Sequence, residues 1–206
     1  VWPSGGCVPP RSTCVDTYQR DFRTEGHHPA SSPIGYPHVV LCAYMQLPFK
    51  DKVERLRLEA KGRWIDDALQ SMRHSNRLAA ECFRRFGASA CTDLTGFGLL
   101  GHLVEMTRPS EVDATIYLSA LPILDGAERT AAAGILSSLQ PANVRLRRAI
   151  RDAEVIVNHP RYPLIFDPQT AGGLLTSVSA DQAEACVREL IALGYSQTRI
   201  IGAIHP

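Results

Sequence analysis

The strongest constraint on the fold is an abrupt change in sequence pattern along the chain. Residues 1–50 hold seven of the 14 prolines and three of the six cysteines, and they show no sustained period of 2 or 3.6. Such a stretch buries too little apolar surface to offset the entropy cost of ordering it. Beyond it, helical and strand patterns alternate without repeats. We therefore expect an irregular N-terminal segment over 1–50 and one organised domain over 51–206.

The composition is that of a globular protein with a sizeable core and no broad charged face. The 206 residues are 45% hydrophobic, and the formal net charge is +1. This balance argues against a wide basic surface for nucleic acid, but it leaves room for a local anion site. No apolar run approaches the ~18 residues of a membrane helix. We expect a cytoplasmic protein with reduced cysteines, no direct nucleic-acid partner and no membrane contact.

The alternation of patterns predicts the elements of a layered α/β domain. Apolar residues from Ile65 to Phe86 recur at helical spacing, and Gly87 is placed to end that helix. Asn76 falls on its buried stripe, which favours a structural amide over a site residue. Further helices are expected after Gly98 and over 125–133, 143–150 and 181–193. Strands are expected over 39–44, 89–92, 112–118, 163–166, 174–178 and 199–204.

The most informative local motif is Asp93-Leu-Thr95-Gly96-Phe-Gly98-Leu-Leu-Gly101. A strand leads into glycines and a helix begins at once, so the first N–H groups of that helix point outward with its positive dipole end. That arrangement suits a phosphate or another oxyanion. A carboxylate at Asp93 is badly placed to touch a phosphate directly, but Mg²⁺ between the two makes the geometry favourable.

Other interpretations of these glycines stay open at this point. Gly96-x-Gly98-x-x-Gly101 fits the dinucleotide fingerprint, but the acids about 20 residues on, Glu111 and Asp113, precede or open the next strand instead of closing it. A glycine-rich corner that serves only close helix packing is a second alternative.

A second glycine-rich turn runs from Phe166 to Leu175, and its chemistry suits a ligand and a plain turn equally well. No catalytic triad emerges. His102 is expected at a less buried position of its helix, with a structural role. A zinc site of Cys7, Cys14 and the pair His27-His28 has a spacing that matches no usual pattern.

Several motifs taken together resemble one family. The chain resembles selenophosphate synthetase (selenide, water dikinase) over its C-terminal domain, from about residue 60 to 205, within the aminoimidazole ribonucleotide synthetase-like superfamily. The matching segments are Lys61-Gly-Arg-Trp64, Ser75-Asn76, Thr92 to Met106, Leu121-Pro122, Ser137 to Asn143, Phe166 to Leu175 and Ile200-Ile-Gly202.

The resemblance implies a fold, a reaction and a set of site residues. The fold is α/β (α+β layered), a mixed sheet covered by helices. The reaction converts ATP, selenide and water into selenophosphate, AMP and phosphate, with Mg²⁺ required. Asp93 inherits the role of a magnesium ligand, and Thr95, Gly96 and Gly98 shape the wall that faces the nucleotide phosphates. The intact family member is expected to be a homodimer.

The N-terminal part departs from that family. Gly5-Gly6-Cys7 superficially resembles its nucleophile loop, but Arg11 and its neighbours stand where the essential Lys belongs, so no catalytic residue is assigned. We expect residues 1–50 to be a degenerate remnant of the preceding domain, and the chain to be inactive alone. Two alternatives are an interaction protein that pairs with a complete synthetase and a related ATP-dependent enzyme of the superfamily.

Overall fold

A computed structural model describes residues 38–42 and 60–206. Five strands form one sheet in the order β2-β4-β1-β5-β3. The strands are β1 (His38–Cys42), β2 (Ala90–Asp93), β3 (Asp113–Ile116), β4 (Leu174–Ser179) and β5 (Arg199–His205). The α-helices described are α1 (Gly62–Arg73), α2 (Arg77–Arg85), α3 (Gly98–Thr107), α4 (Ala127–Ala132), α5 (Gln140–Asn143), α6 (Ala153–Ile156) and α7 (Ala180–Ala192). Short 3-10 helices lie at Arg108–Ser110, Leu118–Ala120, Val144–Ala149 and Pro163–Phe166.

The layered α/β class is confirmed, with one correction to the expected mixed sheet. Each of the four described strand pairings is antiparallel. The interior strand β4 is buried on both faces, with only Ser179 at its end partly accessible. Because strands of parallel and of antiparallel sheets can both be buried on two faces, the sequence of β4 does not reveal the direction of its neighbours.

Helices cover both faces of the sheet, and the alternation of side chains along β4 divides the core in two. Leu174 and Val178 pack with α2 and α7 in one cluster. Leu175 points to the other face, where it joins Ile201 and the apolar side of α3. Successive strand residues point to opposite faces, so one strand serves both clusters.

The helix predicted from Ile65 to Phe86 is two helices, α1 and α2. The hydroxyl of Tyr195 lies at the break, where it donates to the carbonyl of Ser75 at 2.6 Å and accepts the N–H of Ala79 at 3.1 Å. Backbone groups freed by the break are therefore satisfied from a residue more than 100 positions away. The predicted end of the second helix is confirmed, since Gly87 follows it with a φ of +66°.

The strand expected over 163–166 is wrong, because this segment is a 3-10 helix. Three consecutive side chains in it are buried, which gives a short apolar run that periodicity alone does not assign to a strand or a helix. The basic segment 143–150 is mostly 3-10 helix as well. Of the predicted strand over 39–44, the structure describes β1, and positions 43–44 lie outside the described residues, as do residues 1–37.

Cys82, Cys91 and Cys186 are free thiols. Burial raises the pKa of the Cys91 and Cys186 thiols to about 12, so both stay protonated at neutral pH. The residues of the zinc alternative lie outside the described part of the chain. Within that part, no helix has the length and apolar character needed to cross a membrane.

Candidate functional site

The first turn (residues 93–98) joins β2 to α3 and carries the four predicted site residues. Asp93 is the last residue of β2, and its side chain is half-buried. Thr95 is also half-buried, whereas Gly96 is exposed. α3 begins at Gly98, whose φ of +68° favours glycine. The structure thus places Asp93, Thr95 and Gly96 on one partly open turn at the end of a buried sheet.

The N-terminus of α3 lies at this turn. No side chain caps the helix at Phe97, and the first-turn N–H groups of an α-helix have no acceptors within the helix. One of them is used locally, since the N–H of Gly98 donates to the carbonyl of Thr95 at 3.1 Å. The positive end of the helix dipole begins five residues after Asp93. A carboxylate followed by such a helix start suits a divalent cation that is bound together with an anion.

The second turn (residues 166–173) packs directly against the first. A Cβ atom on Gly98 would lie 2.9 Å from the carbonyl carbon of Phe166, and one on Gly172 would overlap the carbonyl oxygen of Leu94. Both glycines are therefore needed for two backbones to approach each other. Gly98 is buried against the second turn. Any part it has in the wall beside the phosphates is therefore indirect, through the path of the main chain at the first turn, and stays a prediction.

Backbone hydrogen bonds continue the pairing of β2 and β4 into the two turns. The N–H of Leu94 donates to the carbonyl of Gly173 at 2.9 Å, and the N–H of Gly172 donates back to the carbonyl of Leu94 at 3.1 Å. The N–H of Gln169 donates to the carbonyl of Thr95 at 2.9 Å. The second turn therefore fixes the main chain of the first turn at two successive residues.

Two asparagine side chains hold the turns in place. Nδ2 of Asn143 donates to the carbonyl of Gly96 at 2.9 Å and to that of Phe166 at 3.0 Å, so one amide joins both turns. Nδ2 of Asn76 donates to the carbonyl of Gly172 at 3.1 Å. Asn76 thus has the structural role that its sequence position favoured. No period or turn signal marked Asn143, whose partners lie far away in the chain.

His102 is fully buried, and the expectation of a less buried position is wrong. Its helix is covered on nearly every side, since Leu99, Leu100 and Leu103 are buried too. Such a helix has no polar face on which to place a histidine. Nε2 of His102 accepts the N–H of Thr95 at 3.0 Å and lies 3.1 Å from Thr95 Oγ1.

Asp167 in the second turn has the most perturbed carboxyl group among the described residues. Burial raises its pKa to about 7, although hydrogen bonds from the backbone of Ser137 and from the side chain of Gln169 act in the opposite direction. Its Oδ1 atom is buried and has no hydrogen-bond partner among residues 38–42 and 60–206. Asp-Pro is a common turn dipeptide, but no sequence pattern indicates that the carboxyl group of Asp167 is buried.

The described residues fit only part of a magnesium site. Mg²⁺ takes oxygen ligands, and the first turn offers the carboxylate of Asp93 and the hydroxyl of Thr95. Within residues 38–42 and 60–206, no three His, Cys, Asp or Glu side chains lie close enough together to hold a metal ion. A cation at this turn would therefore take further ligands from its substrate, from water or from protein outside the described residues.

Fold and turns together define an α/β domain with a glycine-rich strand–turn–helix corner supported by a second, buried turn. Residues 50–206 match the family model "AIR synthase related protein, C-terminal domain". The chain belongs to this family.

Curated relatives are similar to about two thirds of the chain. A "Selenide, water dikinase" of Clostridioides difficile (strain 630) is 38% identical over 143 residues, which is 68% of this chain and 40% of that protein. One of Desulfitobacterium hafniense (strain DSM 10664 / DCB-2) is 41% identical over 145 residues, 69% of this chain and 41% of the relative. "Selenide, water dikinase 2" of Peptoclostridium acidaminophilum is 34% identical over 142 residues, again 68% of the chain and 40% of the relative. The chain thus spans about two fifths of the length of these relatives.

Proposed function

We propose that this chain is the C-terminal part of an enzyme that makes selenophosphate, AMP and phosphate from ATP, selenide and water. The observation that carries the proposal is the similarity to a selenide, water dikinase over 143 residues, 68% of the chain. The domain proposed over 51–206 belongs to the same proposal, and the family match from residue 50 supports it. Because β1 (His38–Cys42) pairs with β4 and β5 of the same sheet, we include that strand in the structural unit. We also propose that the intact enzyme is a homodimer and lies in the cytoplasm.

The proposed role of the first turn is to hold a magnesium ion against the phosphates of ATP. Asp93 would be the protein ligand, since its carboxylate is partly accessible at the end of a rigid strand. Mg²⁺ neutralises phosphate charge when it is bound. Thr95 and Gly96 would form the wall beside the phosphates, and Gly98 would set the angle at which α3 leaves the turn.

One carboxylate does not hold the metal ions and triphosphate of such a reaction. We therefore expect no selenide-dependent conversion of ATP to AMP by the 206-residue chain alone. A direct assay with Mg²⁺, ATP and selenide checks this. AMP formation that is lost in Asp93→Asn would contradict the expectation that the site is incomplete, although it would support the role of Asp93.

A fusion tests the function itself. The part of the Clostridioides difficile relative that this chain does not match is placed ahead of residues 38–206, which contain the whole described sheet. We expect selenide-dependent AMP formation, reduced on the order of 10²-fold by Asp93→Asn. The control Asp125→Asn changes an exposed carboxylate with one long surface ion pair to Arg63 and should leave the rate near that of the unmodified fusion. A folded fusion that binds ATP but forms no AMP would contradict the proposal.

A further inference from the structure

A buried polar side chain stands directly behind the candidate ligand-binding turn. His102 has no exposed surface and lies in a helix whose neighbouring side chains are apolar. An unsatisfied imidazole in such surroundings would cost free energy, so its hydrogen bonds account for its presence. Both atoms that contact Nε2 belong to Thr95, at 3.0 Å for the backbone nitrogen and 3.1 Å for Oγ1.

These contacts fix which ring nitrogen of His102 carries the proton. A backbone N–H only donates, so Nε2 must be the acceptor and the proton of the neutral ring must be on Nδ1. Nδ1 lies 3.2 Å from Oε2 of Glu105, one turn further along α3. This contact is an ion-pair distance and not a hydrogen bond, and Nδ1 has no hydrogen-bond partner among the described residues. A carboxylate this close to Nδ1 favours the tautomer that carries its proton there.

The same contacts determine what the hydroxyl of Thr95 offers to a ligand. Because Nε2 is an acceptor, the Oγ1–H group of Thr95 donates to it and shares it with the backbone N–H. The carbonyl of Thr95 is held separately by the N–H groups of Gln169 and Gly98. With its proton directed to the ring, Oγ1 keeps its lone pairs for the partly accessible side of the turn.

We propose that His102 is a positioning residue, oriented by Glu105, that presents Thr95 Oγ1 as an oxygen acceptor beside Asp93. This deepens the proposed function and rests on it, because the ligand facing Oγ1 would be the hard cation held by Asp93. His102 itself touches no ligand. It acts by fixing the backbone and the hydroxyl rotamer of Thr95.

The first test needs no ligand and uses the unmodified 206-residue chain. Long-range ¹H–¹⁵N correlation spectra distinguish the two tautomers of a neutral histidine. We expect protonated Nδ1 and unprotonated Nε2 at His102. A ring protonated at Nε2 would overturn the proposal, and this result is available even if every substituted chain fails to fold.

Two variants separate hydrogen bonding from simple packing. His102→Gln retains a side-chain acceptor, whereas His102→Leu fills the space with apolar atoms only. We expect hydrogen exchange at the Thr95 amide to be about tenfold faster in the Leu variant, which corresponds to one lost hydrogen bond, and to be largely restored in the Gln variant. Equal exchange in both variants and in the unmodified chain would overturn the proposal.

A Mn²⁺ titration then links positioning to ligand binding. Mn²⁺ broadens the NMR signals of nearby residues, and we expect broadening at Thr95 to need several-fold more Mn²⁺ in His102→Leu than in His102→Gln. If the tautomer and exchange results hold but Mn²⁺ broadens no signal of this turn in the unmodified chain, the proposed metal site fails while the contact of His102 with Thr95 stands. Equal Mn²⁺ response in both variants contradicts the positioning role.

Discussion

The two glycine-rich turns differ in accessibility in the structure, whereas the sequence favours a ligand at the first turn and leaves the second open between a ligand site and a plain turn. In the first turn, Asp93 and Thr95 are partly accessible and Gly96 is exposed. In the second turn, residues 166–169 and 172–173 are buried, and only the tip at 170–171 is exposed. We infer that the first turn faces a ligand and that the second supports it from within the protein.

The comparison also shows how glycine serves different ends in similar motifs. A Cβ on Gly96 would meet no atom within 4 Å, whereas one on Gly172 would overlap the backbone of the first turn. The open glycine leaves room on the solvent side, and the buried one allows two main chains to touch. A glycine-rich motif is therefore informative about binding only when the space around it is known.

The largest effect that would sharpen the comparison is the pH dependence of stability caused by Asp167. Its pKa is about 7 in the folded state, against about 4 in an unfolded chain. The folded state therefore binds more protons between pH 4 and 7, and the stability contributed by this group is full below pH 4 and is lost as the pH rises through 7. The upper bound is roughly 4 kcal/mol.

Urea unfolding of the chain and of Asp167→Asn across this pH range measures the effect of Asp167. The free energy of unfolding should fall with rising pH more steeply in the unmodified chain than in the variant. Identical slopes would show that the second turn does not bury its carboxyl group as the structure describes.

The next largest effect is expected for Gly172→Ala. The added methyl group overlaps the carbonyl oxygen of Leu94, and backbone atoms must shift to accommodate it, so we expect a loss of about 3 kcal/mol in the free energy of unfolding. Gly96→Ala is the matched control in the first turn, with an expected change below about 0.5 kcal/mol. Equal losses in both variants would contradict the division into a supporting and an open turn.

A smaller loss is expected from removing the amide that joins the turns. Asn143→Ala leaves two carbonyl groups without their donor, those of Gly96 and Phe166, and should cost about 2 kcal/mol. Asn76→Ala removes one partly buried hydrogen bond, to Gly172, and should cost about 1 kcal/mol. Thermal unfolding of both variants compares the two losses of stability. A larger loss for Asn76→Ala would show that the hydrogen bonds of Asn143 to the two turns contribute little to stability.

The smallest effect on stability is expected for Asp93→Asn. Its side chain is half-buried and has no hydrogen-bond partner that the structure describes, so the free energy of unfolding should change by less than about 0.5 kcal/mol. Thermal unfolding without metal measures this. A loss comparable with that of Asn143→Ala would indicate that Asp93 is part of the support and not of the open site.

Much of the fold could be predicted because local patterns determine it. The helix after Gly98, the strand that precedes Asp93 and the stop at Gly87 follow from periodicity and turn chemistry, and the structure confirms them. The break between α1 and α2 could not be predicted, because it depends on the hydroxyl of Tyr195 from the far end of the chain.

The residues of the candidate site could be predicted from the sequence, but the buried contacts that hold them in place could not. A carboxylate before a glycine-rich helix start is visible in the sequence, so Asp93, Thr95 and Gly96 could be named. The burial of His102 and Asp167 could not, since both depend on how distant segments cover α3 and the second turn. Roles that arise from tertiary contacts, such as that of Asn143, leave no local pattern.

The most direct test of the central claim, that the first turn alone faces a ligand, is a titration of the ¹⁵N-labelled chain with Mn²⁺ in the presence of ATP. We predict selective broadening of the amide signals of residues 93–96, little change at 166–169, and loss of the effect in Asp93→Asn. Broadening centred on the second turn, broadening that survives Asp93→Asn, or no broadening at millimolar Mn²⁺ would contradict the account.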